Sequence, residues 1–352
     1  MSRSILKPAA YAAAGLGALI GYAHLETKWF TVKRVSVPIL PPGQPPITIL
    51  QLADLHLVAN QRTKLKWLHG LADLNPDLVV NTGDNISSAA AIPALLHVLS
   101  QTGSTGGRPL LEVPGVFVGG SNDYFAPRPK NAARYLLGPS KTRTATLPKL
   151  PWRELFGGFT SRGWVDLNNR RANVVLDDGR VLDFVGTNDA HIGLDAFPLK
   201  DSVVEQDAQR PTVETTATFA KSGANVRIGV THAPYVRVLD EFAHDGTALV
   251  IAGHTHGGQL RIPGFGALVT NSDIARKQAS GLHRWSTSAK GRPSSPEISR
   301  HSASEKHQRG MTENVSDKAS MWLYVSAGAG TSPYAPFRFA CRPSATLITL
   351  TQ

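Results

Sequence analysis

Five short apolar runs in this chain end in the same way, in aspartate, histidine, asparagine or glycine. Each run has the length and the aliphatic or β-branched composition of a buried strand. The polar ends are, in chain order, Asp54-Leu55-His56, Gly83-Asp84-Asn85, Gly120-Ser121-Asn122-Asp123, Thr231-His232 and Gly253-His254-Thr255-His256. Such residues also follow strands in ordinary turns, but five ends of this type favour a sandwich or open sheet with one site at its carboxyl edge.

The last of these ends contains two histidines separated by one residue. It follows the apolar run Ala248-Leu249-Val250-Ile251-Ala252 and is followed by Gly257 and Gly258. Two imidazoles at a strand end, beside glycines that keep the backbone out of the way, are suited to metal binding. The sequence therefore predicts a metal site at this position.

The order Asp-x-His, Gly-Asp, a Gly-Asn-His-Asp-like loop, a single His and Gly-His-Thr-His resembles the calcineurin-like metallophosphoesterase superfamily. The resemblance covers roughly residues 45–350. The segments Gly253–Pro263, Tyr324–Ser332 and Phe339–Pro343 resemble a branch of small bacterial enzymes. Members of that branch are typically membrane-associated, and some act on lipid-linked or nucleotide pyrophosphates.

The resemblance implies an α/β (α+β) fold, with a two-sheet β-sandwich core flanked by helices and a di-metal site at the strand ends. It assigns Asp54, His56 and His256 to a first metal ion and Asp84 to a position between two ions. It assigns His232, His254 and an amide oxygen from the Ser121-Asn122 pair to the second ion. The predicted helices are Arg62–Leu74 and Ala89–Ser100, each between two strand-like runs.

The resemblance also implies the reaction, which is hydrolysis of a phosphoric ester or pyrophosphate bond by a metal-bridging hydroxide without a covalent intermediate. Two divalent ions polarise a phosphoryl oxygen and lower the pKa of a shared water. A mixed set of carboxylate, amide and imidazole ligands can hold Mn²⁺, Fe²⁺ or Zn²⁺, and the choice among them stays open. No other cofactor is implied, and the expected substrate is a phosphorylated small molecule or a lipid-linked compound.

One loop departs from the family pattern, because Gly120-Ser121-Asn122-Asp123 stands where Gly-Asn-His-Asp is usual. Either Asn122 reaches the second ion or Ser121 binds it weakly. We favour Asn122, since an amide oxygen is a better ligand for such ions than a neutral hydroxyl. A neutral amide delivers no proton near pH 7, so Asn122 cannot replace the usual histidine as an acid.

The missing acid leads to two further expectations. Pyrophosphate, nucleotide or aryl phosphodiester substrates, whose leaving groups need no protonation, are favoured over alkyl monoesters. His191 is a second candidate acid, because it follows the apolar run Val181-Leu182-Asp183-Phe184-Val185; the alternative is an ordinary loop histidine. A catalytically weak phosphoesterase fold that serves as a binding or scaffold protein is the alternative function.

The chain is predicted to have one catalytic domain, residues 28–352, after an N-terminal hydrophobic segment, residues 1–27. The uncharged run Pro8–Leu25 follows Arg3 and Lys7, and its length is just sufficient for a transmembrane helix. A retained anchor is favoured over a cleaved signal or an interfacial helix, because no small-x-small cleavage site follows at the usual distance. Basic residues on both sides leave the orientation open.

The net charge of +11 is partly local. Residues 284–316 are rich in Lys, Arg and Ser, lack apolar periodicity and are predicted to form a disordered basic insertion. A basic surface segment that is simply solvated would account for this charge. The alternative hypothesis is that the segment is attracted to anionic lipid headgroups. No nucleic-acid motif accompanies the charge. The single cysteine, Cys341, excludes an intramolecular disulfide, and the oligomeric state is left open.

Overall fold

The computed structural model describes residues 3–129, 144–199, 203–205, 226–287 and 319–352. The helices in these ranges are α1 (Arg3–Glu26), α2 (Arg62–Gly70), α3 (Ile92–Leu99), α4 (Ser121–Tyr124), α5 (Trp152–Thr160) and α6 (Val236–His244). Short 3₁₀ turns at Leu71–Leu74 and Ala89–Ala91 adjoin α2 and α3. Both helices predicted between strands are therefore confirmed.

The strands lie in the same ranges. They are β1 (Thr31–Pro38), β2 (Ile47–Leu52), β3 (Leu78–Asn81), β4 (Gly115–Phe117), β5 (Val165–Asp166), β6 (Arg170–Val175), β7 (Val181–Thr187), β8 (Val203–Glu205), β9 (Arg227–Thr231), β10 (Leu249–Ala252), β11 (Arg261–Ile262), β12 (Gly266–Ala267), β13 (Gly281–Ser286), β14 (Ser320–Val325) and β15 (Ser344–Thr351). Helices separate β2, β3 and β4 and also β9 and β10.

Two large mixed sheets contain most of these strands. The first has the order β1-β15-β2-β3-β4-β5, and the second has the order β13-β14-β10-β9-β7-β6-β8. Strands β2 to β5 are parallel to one another in the first sheet, as are β14, β10, β9 and β7 in the second. The predicted α/β two-sheet sandwich is confirmed.

The side chains of each strand alternate between two layers of the core. In β2, Ile49 packs between the sheets with Phe184 and Ile251, whereas Leu50 packs against the helical layer that contains Leu95 and Leu155. A third layer lies between the second sheet and α6. This period of two is what a strand covered on both faces requires, and it gives the order helices, sheet, sheet, helix.

The N-terminal helix α1 lies outside these layers and contacts the domain through its last turn. Ala23 and Glu26 are buried there, whereas Leu16, Leu19 and Ile20 are exposed. In the described part of the chain, no helix is both long enough and apolar enough to span a lipid bilayer.

The predicted insertion at 284–316 begins too early. Arg284, Trp285 and Ser286 form the end of β13, where Arg284 pairs with Trp322 of β14. The Arg284 guanidinium lies 4.7 Å from the centre of the Trp322 ring, so a cation–π contact places this basic residue in the sheet. Residues 288–318 lie outside the described residues.

Candidate metal centre

The predicted ligands meet at the carboxyl edges of the two sheets. They come from the segments after β2 (Asp54, His56), β3 (Asp84), β4 (Asn122), β9 (His232) and β10 (His254, His256). Gln51 of β2 fixes the two sheet edges relative to each other, because its Nε2 donates to Ala252 O of β10 at 2.9 Å. One side-chain amide thus ties the first-sheet half of the site to the second-sheet half.

Among the described residues, two sets of three side chains, which share Asp54, place their donor atoms within 4.8 Å of one another inside each set. The sets are Asp54, His56, His256 and Asp54, Asp84, His232. The Asp84 Oδ2 atom lies 3.3 Å from His56 Nε2 and 3.6 Å from His232 Nε2. A carboxylate placed between two imidazoles of different sets is where an acid that bridges two ions is expected. These sets bring together five of the predicted ligands but do not include His254, and the roles of all of them as ligands stay predictions.

Each of the four histidines turns one ring nitrogen away from the centre. His256 Nδ1 lies 3.1 Å from Gly330 O, His232 Nδ1 lies 2.7 Å from Thr82 O, and His254 Nε2 lies 3.0 Å from Asn271 O. A carbonyl oxygen only accepts, so each outer nitrogen carries the proton. The His56 Nδ1 is 3.4 Å from the hydroxyl of Ser87.

The other ring nitrogens face the centre, and those of His254 and His256 do so with a lone pair, because their outer nitrogens donate to carbonyls. His56 Nε2 and His256 Nε2 are 3.1 Å apart, and His254 Nδ1 is 3.3 Å from His232 Nε2. Facing lone pairs repel one another unless a proton or a cation lies between them. Outer carbonyl partners that fix the tautomer are usual for metal-binding histidines.

The backbone at the site is held in an unusual conformation. Positive φ angles occur at Asp54 (49°), His56 (43°), Asp84 (54°), His254 (69°) and His256 (50°). Non-glycine residues rarely adopt this left-handed region, and the strain concentrates at functional sites. The sequence carries no signal for these angles.

Asn122 lies against the central carboxylate. Its backbone N–H donates to Asp84 Oδ1 and its Nδ2 donates to Asp84 Oδ2, both at 2.7 Å. Ser121 Oγ accepts a longer hydrogen bond, 3.4 Å, from the same Nδ2. The half-buried asparagine side chain therefore lies at the centre, but the amide nitrogen, and not the predicted oxygen ligand, contacts Asp84. Its role as a ligand stays a prediction.

Asp123, the last residue of this loop, holds the Asp84 turn from behind. Its buried carboxylate accepts hydrogen bonds from the backbone N–H groups of Asp84, Asn85 and Gly120 at 2.8 to 3.0 Å. The two loops are so close that a Cβ atom at Gly83 would lie 2.5 Å from Gly120 N. Glycine is required for that approach.

Burial and charge divide the titratable groups into two kinds. Burial lowers the pKa of His56 to about 4 and lowers those of His254 and His256 well below the ordinary value. Burial also acts to lower the pKa of His232, but Asp84, Asp189 and Asp54 raise it to about 9. His232 therefore carries a proton at pH 7, beside carboxylates that a metal ion would neutralise instead.

The two central acids differ in the same way. Burial raises the pKa of Asp54. Burial acts in the same direction on Asp84, but His232, His56 and the hydrogen bonds from Asn122 hold its pKa below the usual range. Carboxylates, lone-pair imidazoles and an amide converge in a buried site, which is a donor set suited to divalent transition metals. The residues present fit metal ions of this kind.

Comparison with known proteins agrees with this geometry. The sequence profile of the calcineurin-like phosphoesterases matches residues 47–258, more than half of the chain. The chain belongs to this family. It is also 24% identical over 244 residues to the uncharacterized protein YpbG of Bacillus subtilis (strain 168), a match that covers 69% of this chain and 71% of YpbG.

His191, the candidate acid of this phosphoesterase, lies beside the second ligand set and not within it. Its ring centre is 4.6 Å from that of His254, and its Nδ1 is 2.9 Å from the hydroxyl of Tyr235. The side chain is partly exposed. His191 is thus at the rim of the centre, where a residue can contact a substrate.

Four further residues support the site and were not identified from the sequence. Asp189 is buried, its Oδ1 accepts from His191 N at 2.8 Å, and burial raises its pKa to about 6. Asn271 supplies the carbonyl for His254. Lys64 Nζ donates to Leu55 O at 2.6 Å, between two predicted ligands, and Arg338 is fully buried behind His256. Of these four residues, only Asp189 could have been identified from the sequence, because it follows the apolar strand β7.

Proposed function

We propose that this protein hydrolyses a phosphoric ester or anhydride with a good leaving group, such as a pyrophosphate, a nucleotide or an aryl phosphodiester, and that α1 holds it at a membrane surface. The observation that supports the reaction most is the convergence of the imidazoles of His56, His232 and His256 on Asp54 and Asp84, with His254 Nδ1 3.3 Å from His232 Nε2. Family membership gives the general reaction, hydrolysis of phosphoesters.

The chain's own residues would hold and orient the reacting groups. Asp54, His56 and His256 would hold one divalent ion, and His232, His254 and Asn122 the other, with Asp84 between them. Such ions polarise phosphoryl oxygens and lower the pKa of a water. Asn122 is half-buried beside Asp84 and would hydrogen-bond a phosphoryl oxygen without delivering a proton.

The substrate class follows from the proton-transfer groups. Asn122 cannot transfer a proton to the leaving group. His191 lies at the rim of the centre, and its imidazole would have to reach the leaving oxygen from the side of His254. A leaving group of low pKa departs as an anion and needs little acid catalysis. Phosphoanhydrides and aryl esters fit this arrangement better than alkyl monoesters do.

Metal analysis followed by an activity assay tests this function. We expect the purified protein to bind two Mn²⁺ ions and to hydrolyse bis-p-nitrophenyl phosphate. Asp177→Ala is the matched control for Asp84→Ala, because Asp177 is an exposed acid on the surface. It should leave metal binding and hydrolysis unchanged. Protein that binds both ions but turns over no phosphoester, anhydrides included, would instead support the binding or scaffold function.

The membrane proposal is supported by the exposed apolar side chains of α1, namely Leu16, Leu19, Ile20 and Leu25. An amphipathic or apolar helix beside basic residues binds anionic bilayers at their interface. The full chain should float with vesicles of phosphatidylglycerol and phosphatidylcholine, and the Leu16→Ser, Leu19→Ser, Ile20→Ser variant should not.

Val175 and Val181 provide the control for this experiment, because they are exposed on β6 and β7, away from α1. Serine at these two positions should leave vesicle binding unchanged. If the α1 variant and the unsubstituted chain bind vesicles equally well, α1 has no role in membrane binding. That result would leave the hydrolase proposal intact.

A further inference from the structure

Arg338 is a fully buried arginine behind the first ligand set. Its Nη2 donates to the carbonyl oxygens of Ala327 (2.8 Å), Gly328 (3.1 Å) and Gly330 (2.7 Å), and its Nη1 donates to Cys341 O (3.1 Å). In the described part of the chain, no carboxylate lies within ion-pair distance of it. Burying a charge without a counterion is costly, so a specific requirement at this position is indicated.

One of these carbonyls is shared with a predicted ligand. Gly330 O accepts from Arg338 Nη2 at 2.7 Å and from His256 Nδ1 at 3.1 Å. The guanidinium thus holds the acceptor that keeps the proton of His256 on Nδ1. Arg338 Nη2 itself lies 3.5 Å from Nδ1, farther than Gly330 O at 3.1 Å, so the carbonyl is the partner of the Nδ1 proton. The Nε2 atom is then left with its lone pair directed at His56 Nε2, 3.1 Å away.

The carbonyls of Ala327 and Gly328 belong to the same loop as Gly330, and this loop packs against Asp54. A Cβ atom at Gly328 would lie 2.7 Å from Asp54 Cβ, and one at Gly330 would lie 2.3 Å from Leu55 O. Ala329 N–H donates to Ala53 O at 3.0 Å. Arg338 therefore organises the surroundings of Asp54 and His256, whereas its hydrogen bonds in the described residues reach no member of the second ligand set.

The segment that carries Arg338 is held in turn by the last turn of α1. Arg338 N–H donates to Ala23 O at 2.9 Å. The buried carboxylate of Glu26 accepts from Ala340 N at 2.9 Å and from Cys341 N at 2.6 Å. A continuous set of hydrogen bonds thus runs from α1 to His256.

We propose that Arg338 is a positioning residue for the first metal ion alone, and that Glu26 of α1 fixes Arg338 in place. This inference rests on the proposed two-metal function. It assigns the N-terminal helix a role in metal binding at a site that the helix does not touch.

The experiment measures Mn²⁺ affinity at each site separately by calorimetric titration. The His232→Ala variant retains the first site, and the His56→Ala variant retains the second, so Arg338→Met is made in both. We expect the first-site affinity to fall about 10- to 100-fold, as for other outer partners of metal ligands, and the second-site affinity to change less than about 2-fold. Arg338→Lys should be intermediate, because it keeps the charge but not the planar set of donors.

Arg171→Lys is the matched control, since Arg171 is also buried but its side-chain hydrogen bonds within the described residues go to Pro198, Leu199 and Asp245 and to no predicted ligand. Its loss of stability should not change either affinity. If Arg338→Met does not fold, Glu26→Gln decides, because it removes one acceptor from the Ala340 and Cys341 contacts and should weaken only the first site.

A structural signature accompanies the affinities. Nitrogen-15 NMR of the histidine side chains should find His256 protonated on Nδ1 in the unsubstituted chain and a mixture of tautomers in Arg338→Met. Equal weakening of both sites, or no change at either, would overturn the inference and leave the hydrolase function standing. Failure of the unsubstituted chain to bind any divalent ion would instead contradict the proposed function itself.

Discussion

The two halves of the metal centre are built differently. Behind the first half, which contains Asp54, His56 and His256, lie two buried basic side chains, Lys64 and Arg338, which donate hydrogen bonds to backbone carbonyls. Burial lowers the pKa of Lys64 to about 7. The three predicted ligands of this half are buried.

The second half combines two buried histidines with a half-buried asparagine and a partly exposed histidine. His232 and His254 are at most 4% exposed, whereas Asn122 and His191 border solvent. Its neighbouring charges are acids, Asp123 and Asp189, rather than cations. The difference indicates that the first half is a rigid support, and that the second half faces the substrate and carries this chain's departure from the family pattern.

Removing the carboxylate shared by both halves should have the largest effect. In Asp84→Ala, the His56 and His232 contacts of 3.3 and 3.6 Å are lost together. The loss of kcat/KM for bis-p-nitrophenyl phosphate should exceed the roughly 100-fold typical of outer partners of metal ligands. Retention of one tightly bound ion and substantial activity would show that the halves work independently.

The pH dependence of metal binding should separate the halves next. The pKa of His232 is raised to about 9 and that of His56 is lowered to about 4. Binding at the second site at pH 7 must displace the His232 proton, so its affinity should rise about tenfold per pH unit up to pH 9.

The first site should respond less, because His56 and His256 are already neutral at pH 7. Titration of the His56→Ala and His232→Ala variants with Mn²⁺ between pH 7 and 9 measures the two slopes. Equal slopes would contradict the assignment of the proton to His232.

His191 is tested by the choice of leaving group. If its imidazole protonates the leaving oxygen at the second half, His191→Gln should lower kcat for an alkyl phosphoester by about 100-fold, the lower end of the range for general acids. Aryl esters should change little. A small and equal loss for both substrates would identify His191 as an ordinary loop residue.

Restoring the family's histidine should have the smallest effect. Asn122→His should raise the rate for alkyl phosphoesters about tenfold, less than an optimised acid provides, because the Asp84 carboxylate beside position 122 is arranged to accept from an amide. Rates for pyrophosphates should stay within about threefold. A uniform decrease across all leaving groups would count against the substrate class that we propose.

Much of this arrangement could be predicted from the sequence, because several predicted ligands lie within a few residues of the apolar run that forms the strand before them. Asp54, Asp84, His232 and His254 follow apolar runs directly, and parallel strands bring such ends to one edge. The start of the basic insertion was predicted wrongly, since the Arg284 contact with Trp322 depends on a strand 36 residues further along the chain. Local composition does not contain that information.

The supporting residues were beyond sequence reasoning for the same reason. Arg338 lies 82 positions from His256, and Lys64 acts through a backbone carbonyl at Leu55. Neither contact depends on a motif, and both residue types are normally solvated. The positive φ angles at Asp54 and His56 likewise arise from the tertiary structure.

The central claim is that the two halves hold two ions around one shared carboxylate. Anomalous diffraction from crystals of the full chain grown with Mn²⁺ tests it most directly. We expect two anomalous peaks about 3.5 to 4 Å apart, one on each side of the Asp84 carboxylate, with His256 at one and His232 at the other. A single peak between Asp54 and Asp84, or none, would contradict it.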